Sequence, residues 1–161
     1  MKFAKPVKSR KKRKEKIAII GSGPAGLCAA GHLICEGYQV YIYEKLPEPG
    51  GLLIFGIPDF RMPKDKIIEG IEELKTLGVK FLCGIEVGRD IDFEDIVSKY
   101  NAVLIATGAW IGKLPKIPGI NLKGVYTAIH YLTELQLYKK GYAEKKPEIG
   151  KVVAVIGGGD T

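Results

Sequence analysis

Apolar residues along the chain form short uninterrupted runs that alternate with segments of helical periodicity. Short apolar runs bounded by turn residues are typical of strands buried in a parallel sheet. The pattern predicts strands over residues 17–20, 38–43, 79–83, 102–106 and 152–156. It also predicts helices over residues 64–77, 92–99 and 128–138, and a helix of small residues after the first strand. This alternation predicts an α/β fold with a parallel central sheet.

Two of the predicted helices carry apolar residues that we expect to face the core. In the helix over residues 64–77 these residues are Ile67, Ile68, Ile71 and Leu74. In the helix over residues 92–99 they are Phe93, Ile96 and Val97. The strand over residues 102–106 is expected to be central in the sheet, because its apolar run is uninterrupted.

The first predicted strand runs directly into a glycine loop and then into a helix. Gly21 permits a tight turn, Gly23 lets a pyrophosphate approach the backbone, and Gly26 allows the helix to pack closely on the sheet. Glu44 ends the second strand, 23 residues beyond Gly21, where a carboxylate can accept from both ribose hydroxyls. The spacing predicts a dinucleotide site; the alternative is a plain strand–turn–helix with incidental glycines. The predicted site residues here are Gly21, Ser22, Gly23, Pro24, Ala25, Gly26, Glu44 and Lys45.

A second glycine pair, Gly50 and Gly51, begins six residues beyond Glu44. A backbone without side chains at this distance from a ribose acid can approach the extended part of a flavin dinucleotide. Without the preceding acid, the same pair would be interpreted as a turn with no ligand. The combination favours FAD over NAD as the cofactor.

The residues that follow resemble the signature of the glutamate synthase small-subunit family. The run is Gly51-Leu52-Leu53-Ile54-Phe55-Gly56-Ile57-Pro58-Asp59-Phe60-Arg61-Met62-Pro63-Lys64. Shorter similar pieces lie at residues 87–90, 105–109, 117–119 and 124–126. That family includes NADPH-dependent glutamate synthase beta chains, related ferredoxin:NADP oxidoreductase subunits and the flavin end of dihydropyrimidine dehydrogenase, with adrenodoxin reductase more distant. The resemblance extends from about residue 16 to residue 161.

The resemblance implies a Rossmann-like three-layer FAD-binding domain and a position for each matching residue. Those implied to contact the pyrophosphate and ribose are Ala25, Gly26 and Glu44. Those implied to lie along the phosphates, ribityl chain, flavin or adenine are Gly51, Leu52, Leu53, Arg61 and Val87. Those implied to close over the cofactor are Ala106, Thr107 and Gly108. The last set has physical support, because ligands of open α/β sheets bind beyond the carboxyl ends of the strands.

The apolar run 152–156 leads into a second glycine loop, Gly157, Gly158 and Gly159. The resemblance implies that this loop opens an NADPH domain, and that a later segment completes the FAD domain. We therefore expect NADPH binding only if the missing C-terminal part is supplied, and we do not expect this chain alone to be a competent oxidoreductase. A shortened polypeptide, an interrupted gene and a split protein completed in trans all remain open, and we favour a fragment or disrupted reading frame.

These patterns predict four segments. They are a basic disordered tail over residues 1–15, an FAD-binding segment over 16–115, a connection with one helix over 116–150, and the start of an incomplete NADPH domain over 151–161. The formal charge of +7 comes from the tail, since residues 1–16 hold nine Lys or Arg and one Glu. We interpret this tail as a solvated leader, and nucleic-acid binding is not expected because no aromatic residues interleave the basic run over residues 8–16.

The remaining composition narrows the chemistry. Cys28, Cys35 and Cys83 form no C-x-x-C motif, so we expect small core residues and no disulfide or iron–sulfur chemistry. His32 and His130 have no partners at metal-ligand spacing, and no metal site is predicted. The chain lacks a secretory signal and an apolar run of membrane-spanning length, which favours a cytoplasmic location without membrane association.

The sequence thus predicts the FAD-binding portion of an NADPH-dependent oxidoreductase, with no catalytic acid or base assigned. In the intact enzyme, electrons would pass from NADPH through FAD to iron–sulfur centres and a partner. The expected partner is a C-terminal half or a glutamate synthase large-subunit-like or iron–sulfur protein. The alternative is a non-catalytic dinucleotide-binding remnant or a split subunit. A different flavoenzyme class, such as an amine oxidase, is disfavoured by the run from Gly51 to Lys64.

Overall fold

The computed structural model describes residues 2–5 and 12–158. The chain divides into two compact units, with the boundary between Gly108 and Ala109. The elements of the first unit are β1 (Lys16–Ile20), α1 (Pro24–Cys35), β2 (Gln39–Glu44), α2 (Leu52–Phe55), α3 (Asp65–Thr76), β3 (Lys80–Cys83), α4 (Phe93–Lys99) and β4 (Ala102–Ile105). The second unit contains α5 (Ala128–Lys139). The segment limits proposed at residues 115 and 150 stay predictions.

The four strands of the first unit form one parallel sheet in the order β3-β2-β1-β4. This arrangement confirms the predicted α/β class with a parallel central sheet. From β1 the chain first builds outward through β2 and β3, and then returns to place β4 on the other side of β1. The change of direction makes the gap between the ends of β1 and β4 a topological switch point, where open α/β sheets bind their ligands.

The two faces of the sheet have different coverings. Ile17 and Ile19 of β1 lie beside Val40 and Ile42 of β2, and all four are buried. On this face α1 packs so closely that a Cβ atom built on Gly26 would contact the Ile19 side chain. The buried helical residues are Leu27, Ala30 and Ile34 of α1 and Ile67, Ile71 and Leu74 of α3. Burying each large aliphatic side chain contributes about 1.5–3 kcal/mol to folding.

The opposite face buries a second cluster around Ala18, Ile20 and Tyr43, with Ile96 and Tyr100 packed against them. The hydroxyl groups of Tyr43 and Tyr100 lie 3.0 Å apart, so each buried phenol has a hydrogen-bonding partner. Burial, and then that hydrogen bond, raises the pKa of Tyr100 above its ordinary value. This face is therefore held by aromatic packing as well as by aliphatic contacts.

Three helical residues that the sequence pattern assigned to the core are exposed in the structure, so this part of the prediction is wrong. Ile68, Phe93 and Val97 are 42%, 38% and 49% exposed. Ile96 is the apolar residue of α4 that is fully buried, because a helix of two turns directs only a narrow stripe toward the sheet. Ile68 follows Ile67 and is displaced from it by about 100° around the helix axis, which turns its side chain away from the core.

The expectation that residues 102–106 form a central strand is also wrong for the described residues. β4 lies at the edge of the sheet, with β1 as its neighbour. Leu104 and Ile105 are 40% and 63% exposed as a result. An apolar run identifies a strand but does not specify how many neighbours the strand will have.

No strand forms over residues 152–156 in the described part of the chain. Val152, Val155 and Ile156 are 95%, 84% and 78% exposed. A strand is stabilised by a neighbour that pairs with its backbone groups, and none of the described residues pairs with this segment. In the same unit, α5 confirms the helix predicted over 128–138. Its N-cap is Thr127, whose hydroxyl oxygen accepts from His130 N–H at 3.4 Å.

The described parts of the basic leader pack against α1 and the turn that follows it, although we expected a solvated tail. A Cβ atom on Gly31 would overlap the carbonyl oxygen of Phe3, and Ala4 is buried. Arg13 N–H donates to Gly37 O at 2.9 Å, and its guanidinium lies 4.7 Å from the centre of the Tyr38 ring. Because Gly31 carries no side chain, the backbone of residues 2–5 can lie directly on α1. Residues 6–11 of the predicted tail lie outside the described residues.

The cysteines are not the core residues that we expected. Cys28 is exposed, whereas Cys35 and Cys83 are half-buried. Cys28 is displaced by about 100° around the helix from the buried Leu27, which turns it away from the sheet. The thiol of Cys35 donates to the Lys5 carbonyl oxygen at 2.9 Å. Among the described residues, no helix has the length and apolar character needed to cross a membrane.

Candidate functional site

Gly21 turns the chain at the switch point of the sheet. Its N–H donates to the carbonyl oxygen of Tyr43 at 2.8 Å, which joins the loop to the end of β2. Its φ of +101° lies in the region that favours glycine, and a Cβ atom there would overlap the Ala106 carbonyl oxygen. The loop therefore passes between the ends of β2 and β4, and the predicted tight turn is confirmed.

Gly26 places the start of α1 directly on this loop. A Cβ atom at Gly26 would overlap the carbonyl oxygen of Gly21. The predicted close packing of the helix is therefore confirmed, and the first turn of α1 is fixed behind the loop.

Gly23 occupies the N-cap position of α1 and leaves open space in front of the helix. Nothing lies within 4 Å of a Cβ atom built on Gly23, and glycine has no side chain that could cap the helix. Pro24, at the first helical position, contributes no N–H group, while Ala25 and Gly26 follow it with amides in the first turn. The helix dipole and these amides together favour an anion in the open space.

Glu44 ends β2 and is only 4% exposed. Its Oε2 accepts hydrogen bonds from the backbone N–H of Ser22, at 2.9 Å, and from the Ser22 hydroxyl. Its Oε1 accepts from Leu46 N–H at 2.8 Å. A buried carboxylate is stabilised when such donors replace the water it has lost. The glycine loop and the acid at the end of β2 are thus directly connected.

The second glycine pair lies against the first loop. Gly50 N–H donates to both oxygens of Ser22, at 3.1 Å to the carbonyl and 2.9 Å to the hydroxyl. Gly51 has φ +52° and ψ −134°, and a Cβ atom there would lie 3.0 Å from the Cα of Gly23. The glycine loop, the acid at the end of β2 and the second glycine pair therefore meet at Ser22, a residue predicted in the site but without a stated role.

Lys64 braces the segment that carries Leu52 and Leu53, both of which are half-buried. Its ammonium group donates to the carbonyl oxygens of Leu53, at 2.7 Å, and Ile57, at 2.5 Å. Burial lowers the pKa of Lys64, and the charge of Asp59 partly opposes this shift. Sequence reasoning gave Lys64 no role; its position at the end of the family-like run was the available signal.

The other predicted site residues are less closely grouped. Ala106 contacts Gly21 as described, Gly108 follows it with φ +74°, and Thr107 is exposed. The side chains of two further predicted site residues, Lys45 and Arg61, are also exposed. Arg61 lies on the turn after Pro58, where its N–H donates to the Pro58 carbonyl oxygen at 3.0 Å.

Val87 and the second glycine loop complete the predicted set. Val87 is half-buried against the aromatic face of the sheet and pairs with Ile91. Gly157 and Gly158 are exposed and follow no strand, while Gly159 lies outside the described residues. The cofactor contacts of all these residues stay predictions.

The chemistry available at the switch point is that of binding. It combines a helix N-terminus for an anion, a buried carboxylate for hydroxyl groups, and a backbone without side chains at Gly23 and Gly51. Within residues 2–5 and 12–158, no group of three or more His, Cys, Asp or Glu side chains could hold a metal ion. The arrangement suits a diphosphate joined to a ribose.

Comparison with known families agrees with this geometry. The family model described as "Pyridine nucleotide-disulphide oxidoreductase" matches residues 15–161. The chain is 38% identical over 151 residues to the glutamate synthase [NADPH] small chain of Halomonas elongata, covering 91% of this chain and 32% of that protein. It is 40% identical over 149 residues to the NADP(+)-dependent formate dehydrogenase subunit beta of Moorella thermoacetica, covering 91% of this chain and 20% of that one.

Solved structures show the same fold. FprA of Mycobacterium tuberculosis, in a structure with NADPH, superposes with a TM-score of 0.71 at 26% identity, covering 81% of this chain and 31% of FprA. A 2-naphthoyl-CoA reductase superposes with a TM-score of 0.60, covering 74% of this chain and 18% of that one. The chain therefore spans a fifth to a third of the length of these relatives.

Proposed function

Because the chain belongs to the pyridine nucleotide-disulphide oxidoreductase family, we propose that its first unit binds the FAD of an NADPH-dependent oxidoreductase. The relationship to glutamate synthase small chains supports this assignment. The observation that carries it is the junction at Ser22, where the glycine loop, Glu44 and the second glycine pair meet.

The residues at this junction fit FAD in charge and shape. The first turn of α1 would receive the pyrophosphate, because Gly23 leaves open space before the helix dipole. Glu44 would accept from the adenosine ribose. Leu52 and Leu53, held by Lys64, would supply apolar surface to the flavin side. When bound, the flavin would supply the redox chemistry, while these residues bind and orient it.

The proposal for the whole enzyme extends beyond this site. NADPH would deliver electrons through FAD to iron–sulfur centres on a partner such as a glutamate synthase large-subunit-like protein. One relative in Escherichia coli is a glutamate synthase [NADPH] small chain, 37% identical over 152 residues. Gly157 and Gly158 would contribute to an NADPH loop only with residues that order the preceding segment, since residues 152–156 form no strand.

A second candidate function is dinucleotide binding without catalysis. It is favoured by one observation, namely that the titratable group at the junction, Glu44, is held by three donors and faces neighbouring backbone. The two candidates share the FAD site and differ in whether NADPH bleaches the bound flavin.

The test is equilibrium dialysis of the 161-residue chain against FAD, followed by the absorbance spectrum of the retained protein. We expect retained flavin bands, and binding weakened at least about tenfold in Glu44→Ala, because a charge-assisted acceptor is lost. Glu69→Ala is the control, since Glu69 pairs with Lys66 on the exposed side of α3. A wild-type chain that folds but retains no flavin at millimolar FAD would refute the proposed function.

Parallel urea unfolding separates a lost ligand contact from a lost fold. Glu44→Ala leaves the amides of Ser22 and Leu46 without their acceptor, so we also expect reduced stability. The binding comparison is therefore made at a temperature where circular dichroism shows each variant to be folded. Bleaching by NADPH would then support the oxidoreductase over the binding module.

A further inference from the structure

We propose that Ser22 saturates Oε2 of Glu44, so that the carboxylate accepts a single hydrogen bond from the adenosine ribose, through Oε1. This inference rests on the proposed FAD site and makes it more specific. It assigns Ser22 a positioning role and predicts that the two ribose hydroxyls contribute unequally to binding.

The Glu44 carboxylate has a limited capacity to accept hydrogen bonds. A carboxylate offers about four lone-pair sites, two on each oxygen. Oε2 accepts from both the N–H and the hydroxyl of Ser22, and Oε1 accepts from Leu46 N–H. Among the described residues these three donors account for the contacts of the carboxylate. One acceptor site is left, and it belongs to Oε1.

The direction of the Ser22 hydrogen bonds is fixed by its partners. The Gly50 N–H can only donate, so the Ser22 hydroxyl oxygen accepts there at 2.9 Å. The hydroxyl proton therefore points at Glu44. Ser22 has no exposed surface, so water does not compete for this proton. The hydroxyl is held in one orientation because it accepts from Gly50 and donates to Glu44.

Burial of Glu44 limits the alternatives for a ligand. With only 4% of the residue exposed, the carboxylate cannot rotate to present both oxygens without breaking the bonds to Ser22 or Leu46. Breaking either would leave a buried amide without an acceptor, which is unfavourable. The simpler outcome is that one ribose hydroxyl binds Oε1 and the other contacts water or backbone.

The experiment compares FAD with its 2′-deoxyadenosine and 3′-deoxyadenosine analogues on the complete 161-residue chain. Quenching of flavin fluorescence gives a dissociation constant for each. For wild type we expect one deoxy analogue to bind about tenfold or more weakly than FAD, and the other within about twofold. This asymmetry is measured on the native protein and does not depend on the folding of a variant.

Two substitutions identify Ser22 as the cause. Ser22→Ala removes one donor from Oε2, so that a second ribose hydroxyl can bind there, and the two deoxy analogues should then differ by less than about threefold. Ser98→Ala is the matched control, because the exposed Ser98 hydroxyl donates to the Asp95 carbonyl of α4. Ser98→Ala should keep the wild-type asymmetry.

Three outcomes would count against the inference. Equal losses for both analogues in wild type would show that Glu44 accepts two hydroxyls, leaving the FAD site itself intact. Asymmetry that persists in a folded Ser22→Ala chain would remove Ser22 from the explanation. Failure of wild type to bind FAD at all would overturn the proposed function and this inference with it.

Discussion

Gly51 lies directly against Gly23, so that a Cβ atom on Gly51 would stand 3.0 Å from the Cα of Gly23. The contact joins two glycine segments that are separated in the sequence by the helix α1 and the strand β2. The contact explains the absence of a side chain at Gly51, whereas a Cβ atom at Gly23 would stand in open space.

The first prediction follows from this contact. Gly51→Ala should weaken FAD binding more than tenfold and lower the free energy of unfolding by about 1–3 kcal/mol, since φ +52° with ψ −134° is strained for alanine. Gly78→Ala is the control, because Gly78 has φ +104° but open space around a Cβ atom. Urea unfolding and FAD titration of both variants separate backbone strain from contact with Gly23. Equal effects of the two substitutions on FAD affinity would contradict the prediction.

The second prediction concerns the brace at Lys64. Lys64→Met should lower the free energy of unfolding by about 1–2 kcal/mol, because the carbonyl oxygens of Leu53 and Ile57 lose a charged donor. Lys66→Met should leave the free energy of unfolding almost unchanged, because its pair with Glu69 is exposed and screened by solvent. Urea titrations followed by circular dichroism measure both. A Lys64→Met chain as stable as wild type would show that the brace contributes nothing.

The third prediction concerns pH. Hydrogen bonds from Arg89 and from the Glu86 N–H lower the pKa of Asp90 from 3.8 to about 2. Because the folded-state pKa is depressed, the stabilisation is present above pH 3.8 and is lost as the pH falls through about 2. Carbon NMR titration of the Asp90 carboxyl should show this value, and Arg89→Ala should raise it. Asp90 is exposed to solvent, so 1 M salt should also raise the pKa of its carboxyl group.

The fourth prediction compares two thiols. Burial raises the pKa of Cys83, and the charge of Glu44 raises it further, whereas Cys28 is exposed. Iodoacetamide at pH 8 should therefore modify Cys28 at least several-fold faster than Cys83, because the thiolate is the reacting form. Peptide mass spectrometry over a time course resolves the two sites. Faster modification of Cys83 would mean that the end of β3 opens readily.

Much of the site could be predicted because its constraints are local. Gly21 and Gly26 serve a turn and a helix start a few residues apart, and Glu44 follows from the length of one strand–helix–strand unit. The structural roles of Ser22 and Lys64 could not be predicted from the sequence, because their hydrogen-bonding partners lie 22 and 11 residues away. No spacing rule specifies which variable position of a glycine loop will face an acid.

The errors arose where the outcome depends on neighbours. The apolar run at β4 reads like that of a fully covered strand, yet Ile105 is 63% exposed. Val152 reads as part of a strand and is 95% exposed. In both cases the apolar run indicates that the segment can form a strand in a sheet. It does not indicate whether neighbouring strands are present to cover it.

β4 has a practical consequence for handling this protein. Its outer side offers unpaired backbone groups among the described residues and exposed Leu104 and Ile105. The unpaired backbone groups of such an edge can pair with an extended segment of another chain. Natural sheets usually prevent this pairing with charged residues or proline on the edge strand. We therefore expect the protein to form oligomers through this strand at high concentration. The substitution Leu104→Lys should keep the protein monomeric.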